Sequence, residues 1–138
     1  MEAKTTHLTI MTSSNLFLDE DVSQVYLKTK YGGAITILPN RTPIFSIIDV
    51  CKMEINRKGE KGYKACYIGN GFVYANSKEV QIITNDIIFD QNIDIEKAKR
   101  DKEIALQNIE KYKNTKKEII FEQKLRKAIN KINIYNNK

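Results

Sequence analysis

The chain has 138 residues, is 41% hydrophobic and 29% charged, and carries a formal net charge of +6. At about 100–200 residues per domain it is one domain or two small ones, and the composition excludes disordered and fibrous classes. No apolar run approaches the roughly 18–20 residues of a spanning helix, and no basic start with an apolar run marks a signal peptide, so a cytoplasmic chain without direct membrane insertion is expected.

Residues 1–90 read as short strands separated by turns. Leu8 and Ile10 alternate with His7, Thr9 and Met11, and Val25 and Leu27 with Gln24, Tyr26 and Lys28. Cys51, Met53 and Ile55 alternate with Lys52, Glu54 and Asn56. Tyr63, Ala65 and Tyr67 alternate with Lys64 and Cys66, and Val80 and Ile82 with Gln81 and Ile83. Period-2 patterning rich in β-branched and aromatic residues marks half-buried strands. Gly32-Gly33, Pro39-Asn40, the polar run 56–62 and Asn70-Gly71 supply turns between them. Asp19, Glu20 and Asp21 are read as a solvated turn between strands, and Gly69-Asn70-Gly71 as a hairpin turn. Strands at this spacing predict a sandwich or barrel.

Residues 91–138 change character. All six Gly and both Pro lie before them, and they hold thirteen Lys/Arg against seven Asp/Glu, whereas residues 1–90 hold ten of each. The entire +6 therefore belongs to the second segment. Ile95, Ala98, Lys102, Ala105, Ile109 and Tyr112 recur at helical steps, as do Phe121, Leu125, Ala128, Ile132 and Tyr135. Asn114-Thr115 interrupts them, and Thr115 with Glu118 has capping-box spacing. Asp94 and Glu96 place negative charge at the first helix's start, where its dipole favours it. The fold expected is an all-β sandwich over 1–90 followed by a two-helix hairpin over 91–138. The apolar stripes are thin, so the hairpin's closed form is marginal at about 25 cal/mol per Å2 buried. Either it rests permanently on the sandwich, or it opens and exchanges partners.

Catalytic chemistry finds little support. His7 is the single histidine, so every Ser/His/Asp or Cys/His arrangement would rest on one strand residue near the terminus. The cluster Asp19, Glu20, Asp21 fits no known metal loop. Two cysteines and one histidine fall short of an ordinary four-ligand zinc site, and no metal is expected. Cys51 and Cys66 read as buried packing residues rather than a disulfide. No Gly-Lys-Ser/Thr phosphate loop occurs. The basic helices suggest nucleic acid or an acidic protein face. Interleaved acids and only two arginines there, Arg100 and Arg126, argue against base reading, so no nucleic-acid partner is expected.

One stretch is more specific. Lys28-Thr29-Lys30-Tyr31-Gly32-Gly33-Ala34-Ile35-Thr36-Ile37-Leu38-Pro39-Asn40-Arg41-Thr42-Pro43 resembles a segment of the epsilon subunit of F-type ATP synthases. Leu8 to Thr12 is similar to that family's opening strand. Gly69-Asn70-Gly71-Phe72 and Glu79-Val80-Gln81-Ile82-Ile83 are similar to later strands. Ile93-Asp94-Ile95-Glu96-Lys97-Ala98 and Lys127-Ala128-Ile129-Asn130-Lys131-Ile132 resemble elements of its helical tail. The matches run in order over nearly the whole chain.

The resemblance implies a non-catalytic rotor subunit of the central stalk. Its sandwich would bind the gamma subunit and rest on the ring of c subunits. Its helical tail would reach the alpha and beta catalytic subunits and restrain ATP hydrolysis. The complex would sit at the inner face of the cell membrane. No cofactor is required, although some members bind regulatory ATP. Here that role would fall to Asp94, Lys97, Lys127 and Lys131, with lysines where the family usually carries arginines. The ring-facing positions would be Ala34, Asn40, Arg41 and Thr42. Ala34 and Arg41 depart from the usual charged or polar residue and histidine. That departure keeps open a paralogous F-type-like ATPase whose rotor drives a load other than a standard proton ring. A nucleic-acid module using the basic hairpin is the further alternative.

Overall fold

The computed structural model describes residues 5–137. It divides into two compact units, with the division between Ile88 and Phe89. The first contains ten strands: β1 (Thr6–Met11), β2 (Leu16–Val22), β3 (Val25–Thr29), β4 (Gly33–Ile37), β5 (Ile44–Ile48), β6 (Cys51–Ile55), β7 (Lys64–Ile68), β8 (Gly71–Ala75), β9 (Glu79–Thr84) and β10 (Ile87–Phe89), the last closing at the boundary. The second holds a single 3-10 turn (Asp90–Asn92) and helices α1 (Ile95–Lys111) and α2 (Lys116–Asn136).

The strands form one hydrogen-bonded sheet folded into a sandwich. On one side of the single Thr29–Ile48 link lie β4, β3, β6, β7 and β10, and on the other β5, β8, β9, β1 and β2. β5 and β6 are nearly continuous and both run antiparallel to β3. Thr29 faces Ile48, while Tyr26, three residues back, faces Glu54, six residues on. The surplus residues around Asp49 and Val50 let the chain turn the corner between layers. β1 and β9 pair in parallel, whereas β1–β2, β3–β4, β3–β5, β3–β6, β5–β8, β6–β7 and β8–β9 are antiparallel.

The alternation read from the sequence is realised in β1, β3, β6 and β9. Leu8, Ile10, Val25, Leu27, Met53, Ile55, Val80 and Ile82 are fully buried. Cys51 and Cys66 are buried and not joined in a disulfide. In β7 the alternation fails, because Ala65, Cys66, Tyr67 and Ile68 are all buried. Two turn readings are corrected. Asp19, Glu20 and Asp21 lie within β2, paired across to β1. Gly69-Asn70-Gly71 is not a hairpin, since β7 pairs with β6 and β8 with β5 and β9 rather than with each other. Acidic residues are poor strand formers, but one face of this edge strand meets water, so charge there is tolerated.

Asparagine carries the tight backbone positions. Asn40, Asn56 and Asn114 have φ of 63°, 67° and 64°, a region that asparagine tolerates better than most residues. Asn56 also clamps its loop: its Oδ1 accepts from the Ser23 N–H at 2.7 Å and its Nδ2 donates to the Gly62 carbonyl at 2.8 Å.

Tyr67 is fully buried, and its hydroxyl donates to Asp86 Oδ2 at 2.8 Å. Burial first, then the neighbouring Asp86 charge, pushes its ionisation well above the ordinary tyrosine range. Gly69 leaves room for that carboxylate, since a β-carbon there would run into Asp86 Oδ2 and Cγ. Gly69→Ala is therefore expected to displace Asp86 and lower unfolding free energy by about 2 kcal/mol, measured by denaturant unfolding. Gly69→Ala unfolding at wild-type denaturant would contradict this.

In the helical unit, Asp94 caps α1 and its Oδ1 accepts from the Lys97 N–H at 3.1 Å. Thr115 stands at the N-cap of α2, but its hydroxyl donates to the Tyr112 carbonyl instead of closing the predicted box. Glu118 Oε2 accepts from the Asn114 N–H at 2.9 Å. Ala98 and Ala105 of α1 and Ala128 and Ile134 of α2 are buried. Ile134, outside the expected stripe, is buried, while Ile132 and Tyr135 of that stripe are half-buried. Tyr112 stacks on Phe121 at 5.5 Å across the turn. Among the described residues, no helix is long and apolar enough to cross a membrane.

Candidate functional site

The β5-β8-β9-β1-β2 layer presents an outer face whose residues fall into cross-strand rows. Ile47 pairs with Phe72, Phe72 with Ile83, Ile83 with Met11, and a register shift brings Leu16 opposite Met11. Phe72, Ile83, Met11 and Leu16 are 48%, 57%, 48% and 56% exposed. Five strands at the usual spacing make this apolar row about 19 Å long. Beside it run Phe45, Tyr74, Gln81, Thr9 and Asp19. Phe45 is 68% exposed and stacks on Phe72 at 5.9 Å. A third row holds Glu79, His7 and Asp21. Contiguous exposed aromatic and aliphatic side chains of this kind mark a contact surface.

A charged cluster spans the second and third rows. His7 Nδ1 lies 2.7 Å from Asp21 Oδ1, and its Nε2 lies 2.5 Å from Asp19 Oδ1. A protonated ring donates from both nitrogens, one to each carboxylate. Hydrogen bonds to Asp21 and then to Asp19 raise the His7 pKa above its ordinary value of 6.5. Composition pointed to His7 as the lone histidine; the strand register that sets it between two aspartates was not visible.

A second feature lies in the helical hairpin. Asp101, Ile104, Ala105 and Asn108 of α1 and Phe121, Lys124, Lys127, Ala128 and Lys131 of α2 line a pocket of about 390 Å3. Of the four residues expected to hold nucleotide, Lys127 and Lys131 line it and Asp94 and Lys97 do not. Asp94 is occupied as the α1 cap, and Lys97 Nζ pairs with Asp101 at 3.3 Å. Lys124, which sequence reading passed over, joins the two lysines because positions three and four apart share a helix face.

The expected ring-facing residues separate into two places. Asn40, Arg41 and Thr42 form the loop between β4 and β5, where the Asn40 N–H donates to the Ser77 carbonyl and Arg41 Nε to the Thr42 carbonyl. Ala34 lies at the far end of β4, opposite Lys28. Among the described residues, no group of three His, Cys, Asp or Glu is arranged to hold a metal ion.

Residues 5–90, the ten-stranded unit with this face, match the family described as ATP synthase, Delta/Epsilon chain, beta-sandwich domain. The chain belongs to that family. It is 35% identical over 131 residues to the ATP synthase epsilon chain of Mycoplasmopsis pulmonis, covering 94% of this chain and 92% of that one. It is 36% identical over 138 residues to the epsilon chain of Mycoplasma mobile, covering 99% and 97%. The sodium ion specific epsilon chain of Propionigenium modestum is 28% identical, with 92% and 90% covered. A chain in the Euglena gracilis mitochondrial ATP synthase structure shares the fold at a TM-score of 0.78 and 21% identity, covering 91% of this chain and 78% of that chain. The protein is thus an epsilon-type chain, an accessory subunit rather than a catalytic one.

Proposed function

We propose that this epsilon-type chain is a rotor subunit of the central stalk of an F-type rotary ATPase. Its sandwich docks on the gamma-type subunit, and its helical tail restrains ATP hydrolysis at the alpha and beta subunits. The observation that carries the docking role is the apolar row from Ile47 to Leu16. Exposed apolar area of this extent costs solubility unless a partner covers it. The loop of Asn40, Arg41 and Thr42, with Ala34, meets the c ring or the load that replaces it. The complex is peripheral, at the cytoplasmic face of the membrane. The test is co-purification of a tagged full chain from its native cell: a gamma-type subunit and catalytic subunits are expected with it. A solitary monomer would overturn the reading.

The hairpin pocket supplies a regulatory element to the same reading. Three lysines around about 390 Å3 suit the phosphates of ATP, which each lysine meets as a point charge. Replacing Lys127 and Lys131 together by Ala is expected to weaken ATP binding to the full chain by about tenfold or more, read by calorimetry. Equal affinity in the variant would remove the pocket as the site.

A further inference from the structure

We infer that His7, Asp19 and Asp21 form a proton-gated receptor for a cationic side chain, an arginine or lysine, of the docked partner. The inference rests on the reading of this sheet face as the docking surface. The cluster adjoins the row of Phe45, Tyr74, Gln81, Thr9 and Asp19, next to the apolar row, so a partner lying on the apolar residues reaches it.

The geometry explains both the ligand and the gate. Two carboxylates are bridged by one planar ring, which donates to both when protonated. The imidazolium holds the place that a partner's guanidinium or ammonium would take. When His7 loses a proton, the neutral ring donates from one nitrogen only. The other nitrogen then turns a lone pair towards a carboxylate, and that carboxylate is released to accept from the partner. Acidic residues flank the ring on both neighbouring strands. Asp19 and Asp21 approach from β2, and Glu79 of β9 stands directly opposite His7 in the ladder. Lys78 precedes Glu79, and its carbonyl accepts from the His7 N–H. Summing His7, Asp19, Asp21 and Glu79, the cluster carries two negative charges with the ring protonated and three without. A cationic partner group is therefore bound more tightly in the deprotonated state. Hydrogen bonds to Asp21 and then Asp19 favour the charged ring, so His7 releases its proton above its ordinary value of 6.5.

The test is the affinity of the full chain for its gamma-type partner at about pH 6 and about pH 9, by calorimetry. Wild type is expected to bind about five- to tenfold tighter at the higher pH, an exposed-charge effect that shrinks with salt. His7→Gln removes the gate and is expected to bind tightly and equally at both. Asp19→Asn with Asp21→Asn is expected to bind weakly and equally at both. These positions are about half exposed or more, and melting curves confirm the folded state of each variant. Equal wild-type affinity at both pH values overturns the gate and leaves docking intact. A pH dependence that survives in His7→Gln also overturns it. No binding at either pH overturns the docking reading itself.

Discussion

Phe72→Asp combined with Ile83→Asp is expected to abolish co-purification of the chain with its gamma-type partner while the isolated chain still folds. The two residues are cross-strand neighbours at the middle of the apolar row. Each is about half exposed, at 48% and 57%, so neither fills the core. The inward positions beside them, Val73 and Ile82, are fully buried and stay untouched. Covering a side chain of this size on binding contributes about 1.5–3 kcal/mol. Replacing both also leaves two carboxylates to be desolvated without partners, which costs several kcal/mol more. Affinity should fall by about a thousandfold or more, beyond the range of a pull-down. The control is the melting temperature, expected to move little because the substitutions face water. Retention of the partner by a folded double variant would place docking elsewhere.

A chain ending at residue 90 is expected to assemble as the full chain does and to raise ATP hydrolysis by the assembled complex about fivefold or more, the low end of ordinary coupling energies. The sandwich unit has its own core, and the family match covers residues 5–90. The hairpin's buried residues are few and small: three alanines and one isoleucine. That modest burial gives a low barrier to opening, as a tail that changes partners requires. The charge separation points the same way, since residues 91–138 carry the whole +6. The measurement is the hydrolysis rate of purified complex with either chain. An unchanged rate in an intact complex would remove the restraining role from the tail.

The structure makes clear why some strands were legible and others were not. β1, β3, β6 and β9 bury one face and wet the other, so their period of two is written in residue type. β8 hides its pattern, because Phe72 and Tyr74 point outward and are as apolar as inward Val73 and Ala75. An outward face as apolar as the inward one leaves no alternation, so periodicity cannot separate the two. β2 was missed for the opposite reason. Its outward Asp19 and Asp21 look like a turn until pairing with β1 sets them beside His7. The hairpin was legible because its periodicity is local, and Lys124 was missed because a pocket requires both helices.

Sequence by itself determined the two-part organisation, the strand-then-helix order, the location of the charge and the family. Each of these depends on local spacing or on residues in fixed order along the chain. Only the tertiary structure decided the continuous apolar row, the clasp of His7 between two aspartates and the three-lysine pocket. Those depend on register across strands and on the packing of one helix against another. A shift of one residue in register would turn each side chain to the opposite face, and no local pattern records that choice.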